Sequence, residues 1–364
     1  IGSKAAIMHL LLLLVSLASV GTASSDRLLS VNIVIRHGDR AATQGWATPQ
    51  SERKLFRGHD ELTDSGIDHV FRQGQDFQKR YVRTGFINKK FLPHEVSVRS
   101  SSVNRCLMSA ASFTRALFFT TSKGNAVIPP IHSNDAEFDW LVYPHLECSD
   151  GWSDVISRFN LTATNGFAGA AAEALLQTDW DCPEVPPALF DAVVSEEPNE
   201  LIHMKPSYKT CAVSKGRSFM FKYIELLAGA GDSFNELRLK RNAGMLTQQL
   251  LKNFAKAAEC SSTDTCKEPK LRVYYTHDVM TLALAHIFGI LDRFEKINPA
   301  FSSALVFETR RKENGDVYVK IIQKDGENAL FKDTRNCATD CSLSAVTQGA
   351  APFAITEKIP CATD

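Results

Sequence analysis

The chain has 364 residues, enough for one large domain or a domain carrying a sizeable insertion, with ample volume for a buried core. Lys plus Arg (41) equals Asp plus Glu (41), which excludes an electrostatic hold on nucleic acid or on an anionic membrane as the basis of function. Any basic cluster is therefore local and has a purpose of its own.

In chain order, Met8 is followed by "HLLLLLVSLASVGTASS", an apolar core ending in small residues. Residues 1–24 are expected to be a signal peptide cleaved near Ala23 or Ser24, with Met8 as the alternative start. No later run reaches membrane-spanning length, so the expected destination is secreted or lysosomal. Nine cysteines behind such a leader imply an oxidising compartment, several disulfides and one thiol left over. "CATDC" (Cys337, Cys341) and "CSSTDTC" (Cys260, Cys266) can each close a short loop, a pairing that spacing does not prove. Asn160-Leu161-Thr162 is a glycosylation sequon.

"LLSVNIVI" (28–35) is short, apolar and β-branched, as suits a strand buried on both faces of a parallel sheet. "ELTDSGIDHVFRQGQDFQKRYVRTG" follows with helical spacing, Thr63 or Asp64 as cap and Gly85 as terminator. "HEVSVRS" (94–100) is a second strand and "SVNRCLMSAASFTRALFF" a second helix. Between about 131 and 237 the texture turns to Pro, Asn, Asp and aromatic residues with a Gly/Ala helix and no strand alternation. This predicts a mainly helical inserted cap between the two parts, 25–130 and 238–364, of an α/β catalytic domain. Helical periodicity resumes over 235–258, with a cationic face most simply read as solvated, before a third strand, "LRVYYTHD" (271–278), and the helix "VMTLALAHIFGI". "SALVFETRR" and "DVYVKIIQK" form an antiparallel hairpin through "KENG". The expected fold is α/β: a central, mostly parallel sheet flanked by helices.

Two of these strands run into charge. The first ends in Arg36, His37, Asp39 and Arg40, the third in His277 and Asp278. In open parallel sheets such ends border the ligand crevice. Two guanidiniums there make a planar, permanently charged fork for a tetrahedral oxyanion, and a histidine between them loses proton affinity and keeps a free lone pair. That is a nucleophile for a bound phosphate, with His277 as a further donor and Asp278 as the acid for a departing alkoxide. Arg99, at the end of the second strand, is expected to add a phosphate contact. The remaining histidines show no metal-ligand spacing, and no cofactor is implied.

The chain here resembles the histidine acid phosphatases, a branch of the phosphoglycerate-mutase-like superfamily. The resemblance rests on "RHGDR", the Leu-Thr-x-x-Gly helix in "ELTDSGIDHVFRQGQDFQKRY", "VRSSSVNRCLMSA", "LRLKRNAGMLTQQLLKNF" and "THD", and covers most of the mature chain. It implies that His37 attacks phosphorus and becomes phosphohistidine, that Arg36, Arg40, Arg99 and His277 hold the phosphate oxygens, and that Asp278 donates the proton. The substrate is then a small phosphate monoester or phosphorylated peptide, and a homodimer is one assembly the resemblance allows. Ala42 stands where the family usually has Pro, and Ser101-Ser102 and Cys106 where it has Thr-Asp and Thr.

The same resemblance implies disulfides between Cys148 and Cys361 and between Cys337 and Cys341, with Cys182 paired to Cys211, Cys260 to Cys266, and Cys106 free. Two alternatives accompany the acid phosphatase reading. One is a phytase or inositol-polyphosphate phosphatase on the same scaffold; the other is an inactive secreted binding protein.

Overall fold

The computed structural model describes residues 26–119, 127, 129–146, 148–160, 167–199, 203–260, 267–334 and 341–361. The expected signal peptide lies outside them, as do Leu161 and Thr162 of the sequon. Asn160 is described, and is exposed at the left-handed end of a short helix.

β1 (Arg27–Arg36), β2 (Val96–Ser100), β3 (Ile131–His132), β4 (Leu271–Thr276), β5 (Ala304–Arg311), β6 (Val317–Lys324) and β7 (Lys332–Asp333) form one sheet in the order β3-β2-β4-β1-β5-β6-β7. The first four are parallel, and β5, β6 and β7 each add antiparallel to the preceding strand. β1 is central and buried on both faces. Val31, Ile33 and Ile35 enter one hydrophobic core and Val34 the other, which is why its sequence reads as an unbroken apolar run. Asn32, the polar interruption, is buried, and its Oδ1 accepts a hydrogen bond from Asn253 on the opposing helix.

Register aligns the carboxyl ends of the parallel strands. Arg36 pairs with Thr276, and Ser100 with Tyr275. The next residues stay in the ladder, because His37 N–H donates to Thr276 O and Ser101 N–H to Tyr275 O. His37, Ser101 and His277 therefore leave the sheet side by side, and their separation is set by the strand spacing.

The first predicted helix runs Asp64–Phe77, capped by Thr63, whose hydroxyl accepts from Gly66 N–H. The second runs Asn104–Leu117, and the long one Glu236–Glu259, capped by Asn235. Ile131 and His132 pair with β2, so the helical segment begins after the sheet's edge strand. The described residues from 133 to 228 contain helices and no strand, including Phe167–Asp179, Phe190–Glu196 and Arg217–Ala228. The segment is rooted in the main core, where Trp152, Leu175 and Phe221 join Val34, Tyr274 and Phe307 in one cluster.

Cys148–Cys361 and Cys182–Cys211 are disulfides, as expected, and Cys106 is free and buried. Cys260 and Cys341 are also disulfide-bonded; their expected partners Cys266 and Cys337 lie outside the described residues. The cationic face of the long helix is not simply solvated. Arg238 and Arg241 are buried, forked onto Asp154 and Asp150, and Arg241 also donates to Pro360 O beside the Cys148–Cys361 bridge. Among the described residues no helix is long and apolar enough to cross a membrane.

Candidate active site

After β1 the chain bends at Gly38, and only glycine fits. A Cβ there would lie 2.7 Å from Val70 Cγ2 and 3.0 Å from Leu62 Cδ1. Gly66 is required for the reciprocal reason, since its Cβ would collide with the Asp39 backbone. The "RHG" loop and the Leu-Thr-x-x-Gly helix thus interlock. Thr63 donates to Asp39 O through its N–H (2.9 Å) and its hydroxyl (3.2 Å), and Gly38 N–H donates to Ser109 Oγ (2.9 Å). Asp39 points away from the crevice and accepts from His69 Nδ1 at 2.9 Å, which raises the His69 pKa.

This frame orients His37. Its Nδ1 lies 2.9 Å from Gly38 O, which can only accept, so Nδ1 carries the proton and Nε2 keeps the lone pair. Burial first, then the charges of Arg105 and Arg36, hold its pKa well below the usual imidazole range, so the ring is neutral and nucleophilic even in acid. His277 stands 5.6 Å away, centroid to centroid, and is depressed for the same reasons. Its Nε2 faces Ser101 Oγ at 3.2 Å and its Nδ1 faces Arg105 Nη2 at 3.4 Å.

Arg36 is buried over the Phe301 ring, with Nη1 on Pro299 O (2.6 Å) and Nη2 on Asp278 Oδ2 (2.7 Å). Asp278 opens the helix Asp278–Ile287, and its Oδ1 accepts from Val279 N–H. Arg40 is also in the cluster, but the end of its fork is occupied by Asp191 at 3.0 and 3.1 Å. Burial opposes the charge of both partners, yet their attraction prevails: the Arg40 pKa is raised and the Asp191 carboxyl falls far below its usual range. Thr43 and Ser195 complete the shell of Asp191. What remains free for an anion is the Nε side of Arg40, where Asp60 Oδ1 lies 3.6 Å off.

Arg99 departs from expectation. Its guanidinium is bound to Asp139 (2.7 Å) and to His132 O, on the far side of β2 from His37. The guanidinium beside the two histidines belongs to Arg105, in the first turn of the helix that follows β2. Choosing the last arginine of the strand overlooks that a strand-end side chain follows the pleat, whereas the first turn of the next helix hangs over the crevice. A cation at a helix N-terminus opposes the macrodipole, and that local cost was the available signal. Asp191 and Asp60 carried no signal of their own.

Arg105→Ala is therefore expected to lower kcat/KM about 10²–10³-fold, the usual loss for a preorganised donor to a transition-state oxyanion. Arg99→Ala should leave kcat/KM within a few-fold but cost about 3 kcal/mol of stability, because it strands the fully buried Asp139. Steady-state kinetics and urea unfolding of the two variants separate these outcomes.

Among the described residues no cluster of His, Cys, Asp or Glu is suited to a metal ion. The crevice is a cavity of about 560 Å³ walled by Tyr143, Leu146, Leu176, Phe190, Met220 and Ile224.

Residues 27–144 match the histidine phosphatase superfamily (branch 2). A putative acid phosphatase 1 of Caenorhabditis briggsae is 25% identical over 353 residues, 89% of this chain and 79% of that protein. A lysosomal acid phosphatase of Xenopus laevis is 26% identical over 356 residues, 92% of this chain and 78% of its own. Among solved structures, the apo phytase of Hafnia alvei superposes with a TM-score of 0.60 at 15% identity, over 92% of this chain and 98% of that one, a likeness of fold. The interlocked "RHG" loop and His37 lie within the residues 27–144 that match branch 2 of the histidine phosphatase superfamily, and His277 meets them at the aligned strand ends, so the chain is similar to that branch at its candidate site.

Proposed function

We propose that the protein is an acid phosphatase hydrolysing phosphate monoesters through a phosphohistidine on His37. The observation that carries this is the neutral His37, Nε2 lone pair free, set among Arg36, Arg40 and Arg105. The phosphate binds to these arginines and to His277. His37 Nε2 donates its electron pair to phosphorus as the P–O bond to the leaving group breaks, and Asp278 passes a proton to the departing oxygen. Water then attacks the phosphohistidine, Asp278 takes the water's proton, the P–N bond breaks and inorganic phosphate leaves.

The proton has a source in acid. The second pKa of a phosphate group is about 6, so below it the substrate arrives as a protonated monoanion. Its negative charge competes with Asp278 for Arg36, and the proton moves to the released carboxylate. An acid optimum follows, and a lysosomal or secreted setting agrees with the disulfides.

The leaving-group wall is mostly apolar, and its cationic side chains are Arg40 and Arg105, both already assigned to the transferred phosphate; Glu173 adds negative charge. Among the described residues a polyanionic inositol phosphate finds no counter-charges there for its other phosphates. Phosphate release at pH 5 should therefore be at least about tenfold more efficient, by kcat/KM, from an aryl monoester than from inositol hexakisphosphate. Preference for the latter would establish the phytase reading instead.

A further inference from the structure

Asp60 is the one acidic residue placed against both Arg105 and Arg40 in the described structure. Its Oδ2 lies 2.7 Å from Arg105 Nη1 and its Oδ1 3.6 Å from Arg40 Nε. Its backbone is left-handed, with φ 65°, a region that Gly, Asn and Asp tolerate and other residues adopt at a cost. That conformation is held by Asp60 N–H donating to Ala42 O (2.9 Å), while Asp60 O accepts from Arg105 Nη1 (3.4 Å).

Asp191 offers a contrast. It is saturated by Arg40, Thr43 and Ser195 and serves as an anchor. Asp60 Oδ1 is shielded from solvent yet has no hydrogen-bond partner. Leaving a carboxylate oxygen unsatisfied is unfavourable, and so is a left-handed non-glycine residue. Both are concentrated in one residue between the two arginines expected to receive phosphate.

We infer that Asp60 is a built-in competitor of phosphate: a positioning residue that holds Arg105 and Arg40 when the site is empty and weakens their grip on the product when it is full. The inference rests on the phosphate site proposed above. A carboxylate bonded to the same guanidinium as a phosphate repels it at short range, where the crevice walls limit screening. The charge therefore limits ground-state and product affinity, and inorganic phosphate leaves sooner.

The test is direct binding of inorganic phosphate by calorimetry to the full chain and to two variants. Asp60→Asn keeps the shape and tolerates the left-handed backbone, so only the charge is lost; Asp60→Gly removes the side chain and eases the backbone, and covers a failure of the first variant to fold. Phosphate is expected to bind each variant about tenfold more tightly than wild type, with kcat reduced where product release limits turnover. Loss of a merely structural contact would loosen the arginines and weaken binding. Unchanged or weaker binding to the variants, with wild type binding normally, overturns the inference alone. A wild-type chain that binds no phosphate overturns the phosphate site and the inference with it.

Discussion

His37→Ala is expected to lower kcat by about 10⁴-fold or more on every phosphate monoester, the scale on which removal of a covalent nucleophile acts. Among the described residues the substitution takes away the histidine of the anion site whose Nε2 is left free because its other nitrogen is locked by a carbonyl, at 2.9 Å from Gly38 O. His277 does not replace it, because its two nitrogens are engaged with Ser101 and Arg105. Alkaline quenching of wild type with a ³²P-labelled monoester should trap an acid-labile, base-stable phosphoenzyme, absent in the variant. The pH profile carries a further sign. With the His37 pKa pushed well below its usual range, the acid limb of kcat/KM should lie below the value for a free imidazole, so activity persists where an ordinary histidine is already protonated. A labelled His37→Ala protein, or an acid limb at the ordinary imidazole value, would refute the assignment.

Asp278→Asn is expected to separate substrates by their leaving groups. For alkyl phosphates, whose alkoxide needs a proton, kcat/KM, which reports the first step alone, should fall about 10³-fold; for an activated aryl ester that step needs little assistance and the loss in kcat/KM should stay near tenfold or less. The asparagine keeps the shape and the contact to Val279 N–H through its oxygen, so the frame of the helix start survives. It also gives up the charge paired with Arg36 at 2.7 Å, which frees that guanidinium for phosphate and should lower KM while kcat drops. Equal losses for both classes of substrate, measured on one preparation, would remove Asp278 from the role of acid.

Much of this site is local, and local features are readable. β1 announces itself as an uninterrupted β-branched run because both of its faces are buried, and the charge that follows marks the end of a strand mounted in a parallel sheet. The same holds for β4 and "THD", and for the hairpin of β5 and β6. The Leu-Thr-x-x-Gly pattern is legible too, since Thr63 caps and Gly66 allows the close approach to Asp39. Arg99 and Arg105 were not separable in the same way. They lie six positions apart in one motif, and their destinations depend on strand pleat and helix phase, which place one on Asp139 and the other beside His277. Arg238 and Arg241 illustrate the same limit, since helical spacing cannot say which cations meet Asp154 and Asp150 on a segment more than 80 residues away in the chain.

Sequence by itself therefore determined the class of fold and singled out the histidine proposed to attack and the carboxyl proposed to serve it, because each depends on neighbours within a few residues or on a strand's own pattern. Tertiary structure alone decided the electrostatics. Arg40 meets Asp191 across a separation of 151 residues and Arg105 meets Asp60 across 45, pairings that no periodicity encodes. The depressed pKa of His37 arises first from burial and then from Arg105, brought in by the helix after β2, which adds to the neighbouring Arg36. Charge interactions scale with distance and with exclusion of water, and both exist only once the strand ends are aligned and the helical segment is seated over them.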